Sequence, residues 1–202
     1  MNASESTKKT DDQLIKASVK GDKIAFTRLV RRYEDVVFKF AFKICRDTRK
    51  AEETLQDTFI NVYRKLDSFD GKSKFSTWLY SIVLNNCLMK RRSAKRAHDI
   101  MESLDEPSTS ADGKRSRDLP LAEDTPADVV LRKELRDLME KSILKLPVEY
   151  RSVFVLRDIE GKSTQETARI MKISEEAAKS RLRRARAFLR TELAPYLQTQ
   201  RN

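Results

Sequence analysis

Ser163-Thr164-Gln165-Glu166-Thr167-Ala168-Arg169-Ile170-Met171-Lys172-Ile173-Ser174-Glu175-Glu176-Ala177-Ala178-Lys179-Ser180-Arg181-Leu182-Arg183-Arg184-Ala185-Arg186 spells two helices around a tight turn. Ser163 and Glu166 stand three apart, the spacing at which each side chain satisfies the other's backbone N–H, so a short helix is predicted from there through Met171. Ser174 then caps a long helix from Glu175 to about Leu193. Small Ala168 suits a close helix crossing, and Ile173, Ala178 and Leu182 supply the inward apolar positions. Short helix, turn and long basic helix is the helix-turn-helix arrangement. From Lys179 to Arg190 the chain carries six basic residues and no acidic one. Lys179, Ser180, Arg183 and Arg184 share overlapping helical faces, and a major groove would take such a face, with Arg side chains also reaching phosphates. The bland alternative is a solvated charged helix. The two caps and the confinement of basic residues to the second helix favour DNA, whereas Glu175 and Glu176 complement the helix dipole but repel phosphate.

Upstream of this motif, Pro126 opens a helix carrying Val129, Leu131, Leu135, Leu138 and Ile143, closed by Leu146-Pro147. Pro147 fits the first position of the next helix, where its missing N–H costs nothing. That helix carries Val148, Val153, Phe154, Leu156 and Ile159, with Gly161 as its stop. Residues 126–194 thus make one predicted domain. Residues 97–125, through Asp105-Glu106-Pro107-Ser108-Thr109-Ser110-Ala111-Asp112-Gly113, bury too little apolar surface to offset ordering entropy and are expected to be a flexible linker.

Residues 10–96 form the other predicted domain. Thr10 and Gln13 make a capping box that starts a helix at Asp11. Phe26, Leu29, Val30, Tyr33, Val37, Phe40, Ala41 and Ile44 recur at helical spacing, as do Leu55, Phe59, Val62, Tyr63 and Leu66 in the third helix. After the turn Ser68-Phe69-Asp70-Gly71-Lys72-Ser73, a fourth helix holds Trp78, Leu79, Ile82 and Val83. This loop, Asn85-Asn86, and the basic residues Lys90, Arg91, Arg92, Lys95 and Arg96 combine base-reading amides with phosphate-neutralising cations, a mixture suited to single-stranded nucleic acid. The plainer reading of Phe75, Trp78 and Tyr80 is helix-packing core, which for Trp78 outweighs stacking; for Asn85-Asn86 it is ordinary surface polarity. Cys45 and Cys87 read as packing residues.

Composition narrows the class further. The chain has 202 residues, with 42 Lys+Arg against 31 Asp+Glu for a net charge of +11, which suits a polyanion partner. Hydrophobic residues are 39%, below the globular average, so two small cores are expected rather than one large one. Four Gly and five Pro are too few for a sandwich or barrel. Two Cys and one His cannot complete a structural zinc site or a disulfide framework. The polar start carries no apolar signal region, and no stretch reaches the roughly 20 apolar residues of a spanning helix, so a cytoplasmic protein without membrane insertion is expected. The fold class is all-α: two small helical domains joined by a flexible linker, the C-terminal one a helix-turn-helix.

With both halves read, the sequence resembles a bacterial RNA polymerase sigma factor of the extracytoplasmic-function (ECF) type. Ala51-Glu52-Glu53-Thr54-Leu55-Gln56-Asp57-Thr58-Phe59 is similar to that family's region 2.2, and Phe69-Asp70-Gly71 through Phe75-Ser76-Thr77-Trp78-Leu79-Tyr80 to regions 2.3 and 2.4. Leu146-Pro147-Val148-Glu149-Tyr150-Arg151 through Lys179-Ser180-Arg181-Leu182-Arg183-Arg184-Ala185-Arg186 is similar to region 4. The resemblance implies binding to core RNA polymerase through its β′ clamp and β flap, recognition of −35 and −10 promoter elements, and initiation of transcription, with no cofactor. It implies that Gln56, Asp57 and Asn61 dock on polymerase. It implies that Asp70, Gly71, Lys72, Ser73, Lys74, Asn85, Asn86, Lys90 and Arg91 take the −10 element, and that Lys179, Ser180, Arg183, Arg184 and Arg186 take the −35 element. An anti-sigma factor is a further expected partner. Glu176-Ala177-Ala178 stands where many members have Gly-Thr-Val, so no base preference is carried over.

Two other classes compete. A stand-alone helix-turn-helix transcriptional regulator would dimerise and bind unaided, but no heptad seam or ligand pocket is written in the first domain. An enzyme would need a motif around His98 or a Gly-rich phosphate loop, and the sequence has neither, so no catalytic residue is expected.

Overall fold

The computed structural model describes residues 9–101 and 126–199, and every regular element among them is helical. Helix α1 (Asp11–Val19) opens on the predicted capping box: Gln13 N–H donates to Thr10 Oγ1 at 3.3 Å and Thr10 N–H to Gln13 Oε1 at 3.0 Å. Gly21, at φ +94°, turns the chain into α2 (Lys23–Cys45), whose start is held by Asp22 Oδ1 accepting from the Ile24 and Ala25 amides at 2.9 and 3.0 Å. Helix α3 (Thr48–Lys65) ends in one 3₁₀ turn at Leu66–Ser68, and α4 spans Phe75–Met101. Residues 97–101, expected to begin the linker, are therefore helical. Nothing in Ala97-His98-Asp99-Ile100 breaks a helix, so each residue adds its hydrogen bond to the preceding turns. The rest of the expected linker, 102–125, lies outside the described residues.

Among the described residues, 9–41 and 49–101 group as one unit, and 42–48 and 126–199 as the other. The first unit buries Leu14, Leu29, Val37, Phe40, Val62, Leu79, Val83 and Leu84, the apolar stripes of its four helices. Its polar interior is paired: Asn86 Nδ2 donates to Thr58 Oγ1, and Asn61 Nδ2 to Asn86 Oδ1, both at 3.2 Å. Phe75 and Tyr80 are buried in this core, as their plainer reading had it, and Trp78 is half-buried in a ring cluster with Phe69 and Phe75. Tyr63, placed by periodicity on the apolar stripe, is 60% exposed and meets Phe26 edge-on.

The second unit holds α5 (Pro126–Lys145), α6 (Val148–Phe154) with a π-helical continuation at Val155–Ile159, α7 (Thr164–Met171) and α8 (Glu175–Thr199). Pro147 lies one place earlier than predicted, as the N-cap of α6, and its carbonyl accepts from the Tyr150 and Arg151 amides. Arg151, 2% exposed, donates from Nη2 to Leu144 O at 3.1 Å and Leu146 O at 2.6 Å, satisfying carbonyls that the end of α5 leaves open. Leu135 and Ile159, apolar residues that the sequence places on these helices, are exposed, whereas Ile143, Leu146 and Val153 through Leu156 are buried. Helix α8 continues past Leu193 and across Pro195 to Thr199, since a proline removes one N–H without preventing later residues from donating.

Candidate nucleic-acid interface

The turn between α7 and α8 is built from local chemistry. Ser163 Oγ accepts from Glu166 N–H at 3.0 Å, and Glu166 Oε2 from Ser163 N–H at 2.8 Å, the predicted reciprocal cap. Lys172 ends α7 in the left-handed region at φ 54°, letting the Ile173 amide reach back to Ala168 O at 3.0 Å. Ser174 Oγ accepts from Ala177 N–H at 3.1 Å and starts α8. Ala178, Leu182, Ala185 and Leu189 are all buried, at spacings of four, three and four, which seats α8 on the unit's core.

Burial of that stripe turns Lys179, Arg183 and Arg184 out to solvent, with Ser180 half-buried between them. Arg184 Nη1 lies 3.3 Å from Tyr150 Oη, which steadies the guanidinium from α6. Arg186 is differently placed: its Nε and Nη2 make a two-pronged contact with the Asp158 carboxylate at 2.9 and 2.6 Å. That contact, followed by the charge of Asp158, holds the guanidinium above its usual pKa. Asp158 was not singled out from sequence; 28 residues separate the pair, and no local spacing signals it.

In the first unit, the loop after α3 is closed by Asp70, whose Oδ1 accepts from Lys72 N–H at 3.1 Å and whose Oδ2 lies 3.0 Å from Lys72 Nζ. The Lys72 amide first, then its side chain, hold Asp70 below the usual carboxylate range. Gly71 adopts φ +70°, a conformation that L side chains rarely adopt. Gly71, Ser73 and Lys74 join Phe69, Phe75, Ser76, Tyr33, Asp11 and Asp12 around an open cleft of about 340 Å³.

The two asparagines part company. Asn85 is exposed, with Nδ2 3.6 Å from Met89 Sδ, whereas Asn86 is 7% exposed and its amide is engaged by Thr58 and Asn61. Sequence treated them alike; the rotation of 100° between neighbours on a helix separates them. Asn61, assigned to polymerase, is likewise half-buried and bonded to Asn86. Gln56 is exposed on α3, and two exposed apolar side chains follow it at helical spacing: Ile60, which sequence reasoning did not name, and Tyr63, which it placed on the apolar stripe.

Asp57 and Lys90, assigned to different partners, meet: Lys90 Nζ lies 2.8 Å from Asp57 Oδ2 and 3.2 Å from Glu53 Oε2. Partial burial pulls the Lys90 ammonium down, but its bonds to the two carboxylates outweigh this and keep it above its ordinary value. Arg91 is exposed. Of the assigned residues, the structure gathers Gly71, Ser73 and Lys74 at the cleft and Lys179, Arg183 and Arg184 on one face of α8, while Asp70 and Lys72 pair with each other and Asn61, Asn86, Lys90 and Arg186 are engaged by neighbours.

Residues 29–97 match the family model for Sigma-70 region 2 and residues 136–189 that for Sigma-70, region 4. The ECF RNA polymerase sigma factor SigW of Bacillus subtilis is 34% identical over 180 residues, covering 89% of this chain and 94% of that protein. The chain belongs to the ECF RNA polymerase sigma factors. SigM of Mycobacterium tuberculosis, another ECF sigma factor, is 34% identical over 192 residues, covering 95% of this chain and 88% of its own. Solved sigma factors share the fold. CnrH, in complex with the cytosolic domain of CnrY, matches with a TM-score of 0.60 at 25% identity over 90% of this chain and 96% of its own. RpoE of Bartonella quintana, in complex with the anti-sigma factor NepR, matches with a TM-score of 0.65 at 23% identity over 84% of this chain and 96% of its own. Sigma factors are DNA-binding transcription initiation factors, and this chain is an alternative sigma factor of two helical units. Among the described residues, no helix of this sigma factor is long and apolar enough to cross a membrane.

Proposed function

We propose a division of labour in which the second unit anchors the −35 duplex and the first captures the −10 strand while docked on core RNA polymerase. The carrying observation is the face of α8: with Ala178, Leu182, Ala185 and Leu189 buried, Lys179, Arg183 and Arg184 project together from a stretch without carboxylates. Lys179, Ser180 and Arg183 face the groove, and Arg184, steadied by Tyr150, reaches a base edge or a phosphate beside it. Arg186 holds α8 on the π-helical segment through Asp158 and contributes to DNA binding indirectly.

In the first unit, the cleft lined by Gly71, Ser73 and Lys74 receives a base that has left the stack, while exposed Asn85 and Arg91, further along α4, meet the neighbouring strand and its phosphates. Unstacking costs a few kcal/mol, which contacts of the base with the cleft walls offset. Asn86 supports α4 against α3 rather than touching DNA. The polymerase-facing surface is Gln56 and Asp57 with the exposed Ile60 and Tyr63, and Asn61 supports it from behind.

Two weak modules add through effective concentration only when their spacing suits both sites, so the free chain binds promoters poorly and polymerase makes it specific. The place of action is the cytoplasm, where polymerase works. An anti-sigma protein covering the polymerase-facing surface is a further partner, supported by the likeness to CnrH, a protein solved with the cytosolic domain of CnrY.

Purified chain is mixed with core polymerase for pull-down, run-off transcription and footprinting on a cognate promoter. Initiation that depends on the chain, with −35 protection weakened by roughly 1–3 kcal/mol in Arg184→Ala, is expected if Arg184 reads a base. Unchanged −35 protection removes Arg184 from the interface. Tight binding of a specific duplex by a dimer without polymerase makes the chain an independent regulator instead.

A further inference from the structure

Helix α1 lies outside the region 2 match, which begins at residue 29, yet Asp11 and Asp12 line the same cleft as Gly71, Ser73 and Lys74. Asp11 is also the point where α1 is fastened. Its Oδ1 accepts from Arg32 Nη1 at 2.5 Å and its Oδ2 accepts from the Tyr33 hydroxyl, while Arg32 Nη2 donates to Lys9 O at 2.7 Å. Tyr33 is thereby fixed in rotation and meets Phe75 edge-on with ring centroids 5.2 Å apart. Phe75 in turn touches Phe69 at 5.6 Å and Trp78 at 5.7 Å, so the contacts run from Asp11 to the rings at both ends of the 70–74 loop.

We propose that α1 is a wall of the strand-capture cleft and that Asp11 is a positioning residue for base capture, acting through Tyr33 on the Phe69–Phe75 floor. This rests on the assignment of that cleft to the −10 strand. The physical reason is the cost of a loose pocket. An unstacked base is held only if the walls are in place before it arrives; otherwise, their ordering entropy is charged to binding. A carboxylate accepting from both a phenol and a guanidinium is among the stronger ties available to a half-buried site. Burial first, then the Asp11 carboxylate, raises the Tyr33 pKa well beyond the ordinary phenol, so the hydroxyl stays a donor throughout the working pH range.

The test uses the full chain with core polymerase and a promoter carrying 2-aminopurine at successive −10 positions, whose fluorescence rises on unstacking. Asp11→Ala and Tyr33→Phe are expected to reduce the fraction of unstacked promoter about three- to tenfold at one position, the size of an ordinary net hydrogen bond, because the lost tie acts on the base only through the Tyr33 and Phe75 rings. Core affinity and −35 protection should stay at wild-type level. The double variant should lose less than the product of the two single losses, because both act on one contact. Tyr33→Phe removes a single oxygen and keeps the proposal testable if Asp11→Ala fails to fold. Wild-type unstacking in Tyr33→Phe overturns the proposal, as do fully multiplicative losses or a loss shared by core affinity and −35 protection. Failure of the wild-type holoenzyme to raise fluorescence at any −10 position overturns the cleft assignment itself, a result distinguishable from normal capture by the variants.

Discussion

Replacing Asp57 by Ala separates docking from folding, and the geometry at Lys90 sets the size of each effect. Asp57 lies 2.8 Å from Lys90 Nζ, but its side chain is 48% exposed and that of Lys90 26%. Lys90 keeps Glu53 at 3.2 Å after the substitution. An ion pair this exposed contributes about 0.2–1 kcal/mol, so the first unit should lose no more than about 1 kcal/mol, or roughly 4–8 °C in Tm for a unit of this size. The Lys90 pKa is raised in the folded chain, so the pair's contribution is complete below the ordinary lysine value and fades only as pH rises through the elevated one. Measurements near neutral pH therefore see it intact. Against that small structural effect, affinity for core polymerase should fall tenfold or more, about 1.4 kcal/mol. The assay is a fluorescence titration of labelled chain with core enzyme, paired with a urea melt of the same sample. Core affinity within twofold of wild type refutes the docking role. A stability loss above about 2 kcal/mol refutes the reasoning from exposure and makes the carboxylate a structural element.

Ser163→Ala removes one arm of the cap on α7 and should cost the second unit about 1 kcal/mol, read as a shift of its urea midpoint with an unchanged slope. Leu182→Ala empties a buried position under α8 and should cost roughly 2–5 kcal/mol by thermal unfolding, with −35 protection lost alongside because the helix loses its seat.

The parts of the site that sequence made legible are those whose partners lie within one turn of helix or loop. Ser163 with Glu166 and Thr10 with Gln13 are each three residues apart, and their spacing alone specifies the geometry. The buried stripe of α8 is equally local: Ala178 and Leu182 were read as inward from the sequence, and Ala185 and Leu189 continue them at the helical period. Tyr63 and Leu135 follow the same period but are exposed, because periodicity marks a face without saying whether another element covers it.

From sequence alone came the all-helical class, both reciprocal caps, the turn before the basic helix and the family to which the chain belongs. Only the tertiary structure tied Asn86 to Thr58, tied Lys90 to Asp57, placed Asp158 on Arg186 and carried Asp11 across to Tyr33. These pairs are neighbours, 22 to 33 residues apart, through the packing of separate elements. A hydrogen bond within one turn follows from the backbone period, whereas one between elements depends on where the apolar faces of both come to rest.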